Sequence, residues 1–172
     1  MNSAHVIITP FAPGDAEAFA RLNLRWLVEH AILEAADERQ LQNPDVHVFG
    51  HGGEIFMARV GAVTVGCCAA IPRADGSIEV AKLAVDPDAH GQGIGRRLVY
   101  AALAFGQQRH YTKAVLTSSH KLKAALKLYE SIGFHYAPLP ADLPYATVDV
   151  YMELDLQQWA PPDPHPARSR TP

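Results

Sequence analysis

The spacing of apolar residues changes rhythm at Glu54. Before it the pattern is mainly helical. Over Ala16 to about His30, Phe19, Leu22, Trp26 and Val28 recur as an imperfect apolar stripe, which predicts an amphipathic helix. Pro13-Gly14-Asp15 precedes it as a turn, with Asp15 the candidate cap. Val6 to Thr9 predicts a short strand ended by Pro10. Ile32 to Gln42 predicts a second short helix, broken by Asn43-Pro44-Asp45.

After Glu54 the β-branched runs Ile55 to Val60 and Val63 to Ile71 flank Gly61-Ala62, a hairpin signal. Pro72 to Gly76 is a second turn and Ile78 to Val85 a third strand, completing an antiparallel meander. From about Gln92 to Arg109 a helix carries Ile94, Leu98, Ala101, Ala102 and Phe105 on one face. Lys113 to Thr117 is a strand, and Leu122 to Ile132 a helix stopped by Gly133. Phe134 to Tyr136 starts another strand. Pro138 to Pro144 reads as a loop, because each proline lacks a backbone donor. Thr147 to Leu154 closes the pattern with Val148, Val150 and Met152 on one side. This order predicts the α/β (α+β) class, a mixed sheet with helices on its faces.

The length of 172 residues fits one domain, here 1–159. Residues 160–172 are rich in Pro and Arg and read as a disordered tail. A net charge of −3 favours neither nucleic acid nor anionic lipid as a partner. No apolar run reaches the roughly 20 residues of a bilayer span. Met1-Asn-Ser-Ala-His5 has no signal-peptide pattern, so a cytoplasmic protein is expected. Cys67 and Cys68 are neighbours on a strand and point to opposite faces, so they read as structural thiols. His47 and His51 form the one close histidine pair, without a Cys or carboxylate cluster of zinc type; no metal is expected.

The densest candidate chemistry lies between Glu79 and Arg97. A strand runs into Gly91-Gln92-Gly93-Ile94-Gly95, which opens a helix and presents free N–H groups to an anion. The glycines alone also fit plain turn chemistry. The spacing is not the G-x-G-x-x-G of a dinucleotide fold, and Arg96-Arg97 replaces the Lys-Ser or Lys-Thr of a P-loop.

Leu83-x-Val85-x-Pro87-x-x-His90-Gly91-x-Gly93-Ile94-Gly95 resembles the acyl-CoA loop of the GNAT superfamily of N-acetyltransferases. Lys121 to Phe134, with Tyr129 and Gly133-Phe134, is similar to the same family's later helix, and Val148 to Leu154 to its last strand. The resemblance implies the GNAT fold: a mixed, mostly antiparallel sheet of six or seven strands, about four helices, and a strand pair splayed at the CoA site. It implies acetyl-CoA as cosubstrate. The pantetheine arm would pair with the backbone of Leu83, Ala84 and Val85, and the pyrophosphate would lie on the N–H groups from Gly91 through Gln92, Gly93, Ile94 and Gly95 to Arg96. Arg96 or Arg97 would add charge, or both face solvent. His90 stands where the family usually has Arg or Gln.

The resemblance also makes Tyr129 the general acid, with a core aromatic as the plain alternative. Glu79 matches a general base used in part of the family; the alternatives are a water chain and an ordinary strand-edge carboxylate. Ser119 falls where relatives often have Asn, and either caps the next helix or touches pantetheine. Lys121, Lys123 and Lys127 read as a solvated face. The implied reaction is acetyl transfer to a primary amine held between the N-terminal helices and the Pro138–Pro144 loop. A small-molecule amine is favoured over a protein acceptor. Glu34, Asp37 and Glu38 either attract that amine or form a solvated helix surface. Homodimers are common in the family, and the last strands are the expected contact if this chain forms one. A non-catalytic acyl-CoA-binding or sensor domain is the competing function.

Overall fold

The computed structural model describes residues 5–143 and 145–162; Pro144 and most of the Pro/Arg-rich tail, 163–172, lie outside the described residues. Seven strands form one sheet in the order β1-β2-β3-β4-β5-β7-β6. They are β1 (Val6–Pro10), β2 (Glu54–Val60), β3 (Val63–Pro72), β4 (Ile78–Val85), β5 (Lys113–Ser118), β6 (His135–Ala137) and β7 (Val150–Asp155). The helices are α1 (Ala16–Glu29), α2 (Ala35–Gln42), the single turn α3 (Pro44–His47), α4 (Ile94–Gln108) and α5 (Lys123–Ile132). All pairings are antiparallel except β4 with β5. This is the expected mixed sheet. No described helix is long and apolar enough to cross a membrane.

The sheet separates two cores, and adjacent cysteines mark the divide. Cys67 packs with Phe19, Leu22 and Leu41 on the α1–α2 side. Cys68 packs with Leu98, Leu103 and Met152 on the α4 side. Opposite orientation of neighbours in a strand causes this split. Both thiols are free, and burial pushes Cys67 up to about 12 and Cys68 up as well. They are inert filler of the kind the sequence predicts.

Several boundaries move for tertiary reasons. Residue Ile32 does not begin α2: its N–H donates to Leu27 O at 3.0 Å behind left-handed Ala31, so it closes α1 instead. Val28 is 61 % exposed and leaves the predicted stripe, while Asn23 enters the buried face. Asp15 stands at the N-cap position of α1, as expected, but its side chain makes no cap bond to that helix. Its carboxylate accepts from Ala12 N at 2.9 Å and pairs with Arg59 at 2.6 Å. The last strand begins at Val150 rather than Thr147, because the N–H groups of Ala146 and Thr147 are committed to Glu34.

Helix α4 lies close on the sheet at Gly106, where a Cβ would sit 2.9 Å from Ile78 Cγ2 and 3.1 Å from Leu156 Cδ1. Gly106→Leu is therefore expected to destabilise the fold by about 1–3 kcal/mol through overpacking. Urea denaturation checks this; an unchanged midpoint would mean that the helix lifts off the sheet at no cost.

Two features of β4 position the site. Its parallel pairing with β5 stops after Ile78–Ala114 and Glu79–Val115, so the strands splay beyond that point. On the other side, its register against β3 passes from Ala69–Ala81 to Cys67–Ala84, which leaves one extra residue on β4. That bulge contains Lys82 in the left-handed region, at φ 54°.

Candidate active site

The splay opens a cleft on each side of the bulge. The larger, about 650 Å3, runs along Val85, the glycine loop and the start of α4, facing α5. The other, about 470 Å3, lies between β4, α2 and the loop before β7. Both are lined by Trp26, Leu83, Leu122, Ala125 and Tyr129, so they meet there.

The glycines serve different ends. Gly91 (φ 75°) and Gly93 (φ 71°) hold left-handed conformations that favour glycine, and Gly93 starts α4. Gly95 lets α4 approach α5; a Cβ there would touch Leu128 Cδ2 at 3.4 Å. Among the described residues no side chain caps α4, so its first N–H groups face the cleft without a side-chain partner there, and the helix dipole contributes roughly half a positive charge. Space around Gly93 is open in the direction a Cβ would take. A pyrophosphate-sized anion fits this uncapped, open terminus.

The predicted side chains divide here. Arg96 lines the cleft, held by Ser131 Oγ at 2.8 Å. Arg97 does not: it donates to Val6 O at 2.9 Å and ties down β1. Residue Gln92 is exposed and absent from the cleft wall, whereas Ile94 and Gly95 line it. His90 lines it too, but its Nε2 donates to Val85 O at 3.0 Å, so that proton is spent on the strand end. Lys121, Lys123 and Lys127 are all exposed, as expected of a solvated face, and the first two also border the cleft. Ser119 is buried and lies on the smaller cavity. It does not cap α5, whose N-cap is Leu122; its Oγ accepts weakly from Lys121 N at 3.4 Å.

Tyr129 stands at the junction of the cavities, edge-on to Phe134 at 6.0 Å between centroids. Burial pushes its hydroxyl pKa up, so it remains a proton donor at neutral pH. Glu79 lines the smaller cavity and accepts from Arg73 Nη1 at 3.0 Å. Burial raises its pKa above the usual carboxylate value, and Arg73 opposes that rise. Four residues along a strand span about 13 Å, so the Glu79 main chain is well removed from Leu83.

The same cavity holds groups that sequence reasoning passed over. Lys82 Nζ pairs with Asp37 Oδ1 at 2.9 Å, and their side chains are only 11 % and 7 % exposed. The acidic run of α2 is thus not one solvated surface. Asp37 faces inward, Glu38 faces out, and Glu34 binds Ala146 N, Thr147 N and Thr147 Oγ1 to fasten the loop before β7. Tyr145 of that loop donates to Gln40 Oε1 at 2.9 Å and lies under Lys82 Nζ at 5.6 Å. One signal for this was readable: Lys82 is the single cation in the apolar run from Ile78 to Val85. Among the described residues, no group of three or more His, Cys, Asp or Glu could hold a metal; His47 and His51 simply line the cavity.

Residues 51–136 match the family model described as an acetyltransferase (GNAT) domain. Mycothiol acetyltransferase of Thermobispora bispora is 36 % identical over 141 residues, covering 75 % of this chain and 46 % of that protein. The chain spans less than half the length of the first curated relatives it matches. A GNAT-family acetyltransferase from Staphylococcus aureus Mu50 superposes with a TM-score of 0.80 at 19 % identity, covering 88 % of this chain and 99 % of that one. Salmonella typhimurium yncA, solved with its cofactor acetyl-CoA, gives 0.72 at 18 % identity over 94 % of this chain and 99 % of that one. The fold, the splayed strand pair and the matched segment agree, and the chain belongs to the GNAT acetyltransferase family.

Proposed function

We propose that this protein transfers the acetyl group of acetyl-CoA to the amine of a small acceptor by direct attack. The observation that carries the reading is the meeting of two cavities at Leu83 and Tyr129, with an anion cradle in one and a half-buried carboxylate in the other. Acetyl-CoA supplies an activated acyl group as a thioester. The free edge of β4 at Leu83, Ala84 and Val85 offers main-chain groups to its pantetheine arm. The first N–H groups of α4 hold the pyrophosphate, with Arg96 adding charge. A β4 N–H near the bulge polarises the acyl carbonyl.

Glu79 takes the acceptor's proton through a water, leaving a neutral amine. Its nitrogen forms the C–N bond as the C–S bond breaks. Tyr129 gives its proton to the departing sulfur, and the excess proton of the new amide passes to solvent. The smaller cavity, about 470 Å3 and roofed by the loop that Glu34 fastens, suits a small molecule better than a folded protein surface.

Thiol release on mixing protein, acetyl-CoA and amines tests the reading. Release that depends on added amine supports it; binding with no release for any amine is the result of a sensor. The cradle is tested separately. Gly93→Val forces a β-branched residue into the left-handed region, at about 1–2 kcal/mol. Escape from that strain rotates the N–H groups away from the anion. Acetyl-CoA affinity measured by calorimetry should fall roughly tenfold; unchanged affinity would place the pyrophosphate elsewhere.

A further inference from the structure

The mechanism above leaves Lys82 unused, yet the fold goes to some length to place it. An L-residue in the left-handed region is strained, as Lys82 is at φ 54°, and a bulge re-aims the side chain it carries. The bulge is also braced from α1: Asn23 Nδ2 donates to Phe19 O at 3.0 Å and to Cys67 Sγ at 3.2 Å, and Cys67 Sγ contacts Lys82 O at 3.5 Å. Lys82 thus sits one residue before Leu83, where the cavities meet, with its ammonium in the acceptor cavity.

Of its three donors, one goes to Asp37 and none is recorded to another acceptor among the described residues. The Tyr145 ring covers one side. In the turn between β3 and β4, Arg73 uses Nη1 on Glu79, and its other side-chain nitrogens have no partner among the described residues. Two cations, Lys82 and Arg73, are paired with two carboxylates, Asp37 and Glu79, inside the cavity, and the remaining carboxylate of its lining, Asp142, is exposed to solvent. Such a balanced set is a poor trap for a bare cationic amine, which gains most from net negative charge. It suits a ligand that brings one charge of each sign.

We propose that Lys82, aimed by the β4 bulge and braced by Asp37, receives the carboxylate adjoining the acceptor's amine, so that the acceptor is a small α-amino acid. Arg73 then faces whatever the amino-acid side chain brings to the far end. This inference rests on the acetyl-transfer reading for the place of the amine.

The test is a calorimetric titration of the CoA-loaded protein with the common L-amino acids, each beside its decarboxylated amine, and the same pairs in the acetyl-transfer assay. At least one amino acid should bind about 10- to 100-fold tighter than its amine, the range of one charge-assisted hydrogen bond. Lys82→Met should collapse that ratio by raising KM for the amino acid, and Lys82→Arg should restore most of it. Lys82→Met alone strands Asp37, so the Asp37→Asn/Lys82→Met pair, checked for an intact thermal transition, should collapse the ratio equally. Amines that bind as well as their amino acids, no binding by any amino acid, or a ratio unmoved by Lys82→Met would overturn the proposal. Amino acids that bind through Lys82 but receive no acetyl group would overturn the transfer reading and leave this one standing. Equal acetylation of amines and amino acids would do the reverse.

Discussion

Glu79→Gln is expected to lower kcat by about 10²–10⁴ at neutral pH while acetyl-CoA affinity holds. The amide keeps the shape of the carboxylate and one acceptor for Arg73, so the pair at 3.0 Å loses its charge more than its geometry. What disappears is the capacity to take a proton. Burial raises the Glu79 pKa despite Arg73, which places the proton affinity of this group closer to working pH. The wild-type rate should therefore fall on acidification through a limb lying above the ordinary carboxylate value of 4.5, and the variant should lack that limb. A variant that keeps wild-type turnover would reduce Glu79 to an anchor for Arg73.

Stability should move in the other direction. For a carboxyl whose folded pKa is raised, the native state binds more protons than the unfolded chain between the two values. Stability then falls as pH rises through that window. At neutral pH ionised Glu79 works against folding, partly offset by Arg73. Glu79→Gln should thus keep or raise Tm at pH 7 and lose that advantage in acid, separating a catalytic loss from a folding defect.

Tyr129→Phe carries the second large effect. The ring keeps its edge contact with Phe134, so the variant should fold, but the junction loses its proton donor. We expect kcat to fall by about 10² with acetyl-CoA affinity little changed. Because burial lifts the hydroxyl pKa above the ordinary tyrosine value of 10.0, wild-type activity should show no alkaline loss from this residue near pH 10. Full activity in the variant would make Tyr129 a core aromatic only.

Much of this fold was legible because its local signals agree with its packing. The strand Ile78–Val85 has the same bounds in sequence and structure, and the Gly61-Ala62 hairpin pairs as its pattern predicts. The loop at Gly91 to Gly95 reads as a helix entrance in both. The splayed pair came from the family resemblance rather than from any pattern, and it is present.

What stayed hidden depends on distant chain. Asp37 looks solvated until Lys82, 45 residues on, meets it inside a cavity. Thr147 looks like strand until Glu34 takes its N–H. Arg96 and Arg97 are equivalent in sequence, and only the rotation of α4 sends one to the cleft and the other to β1. Positive φ at Lys82 has no sequence signature, since a lysine does not seek that region. The smaller cavity is built from these long-range contacts, whereas the larger cleft follows a contiguous loop.

The most direct test of the central claim is a single-turnover reaction in which protein loaded with labelled acetyl-CoA meets L-amino acids, and free thiol and labelled product are counted in the same quench. The account predicts one N-acetylated amine for each thiol released, with no label left on the protein. Retention of the label on CoA with every amino acid and amine, at full cofactor occupancy, would contradict it.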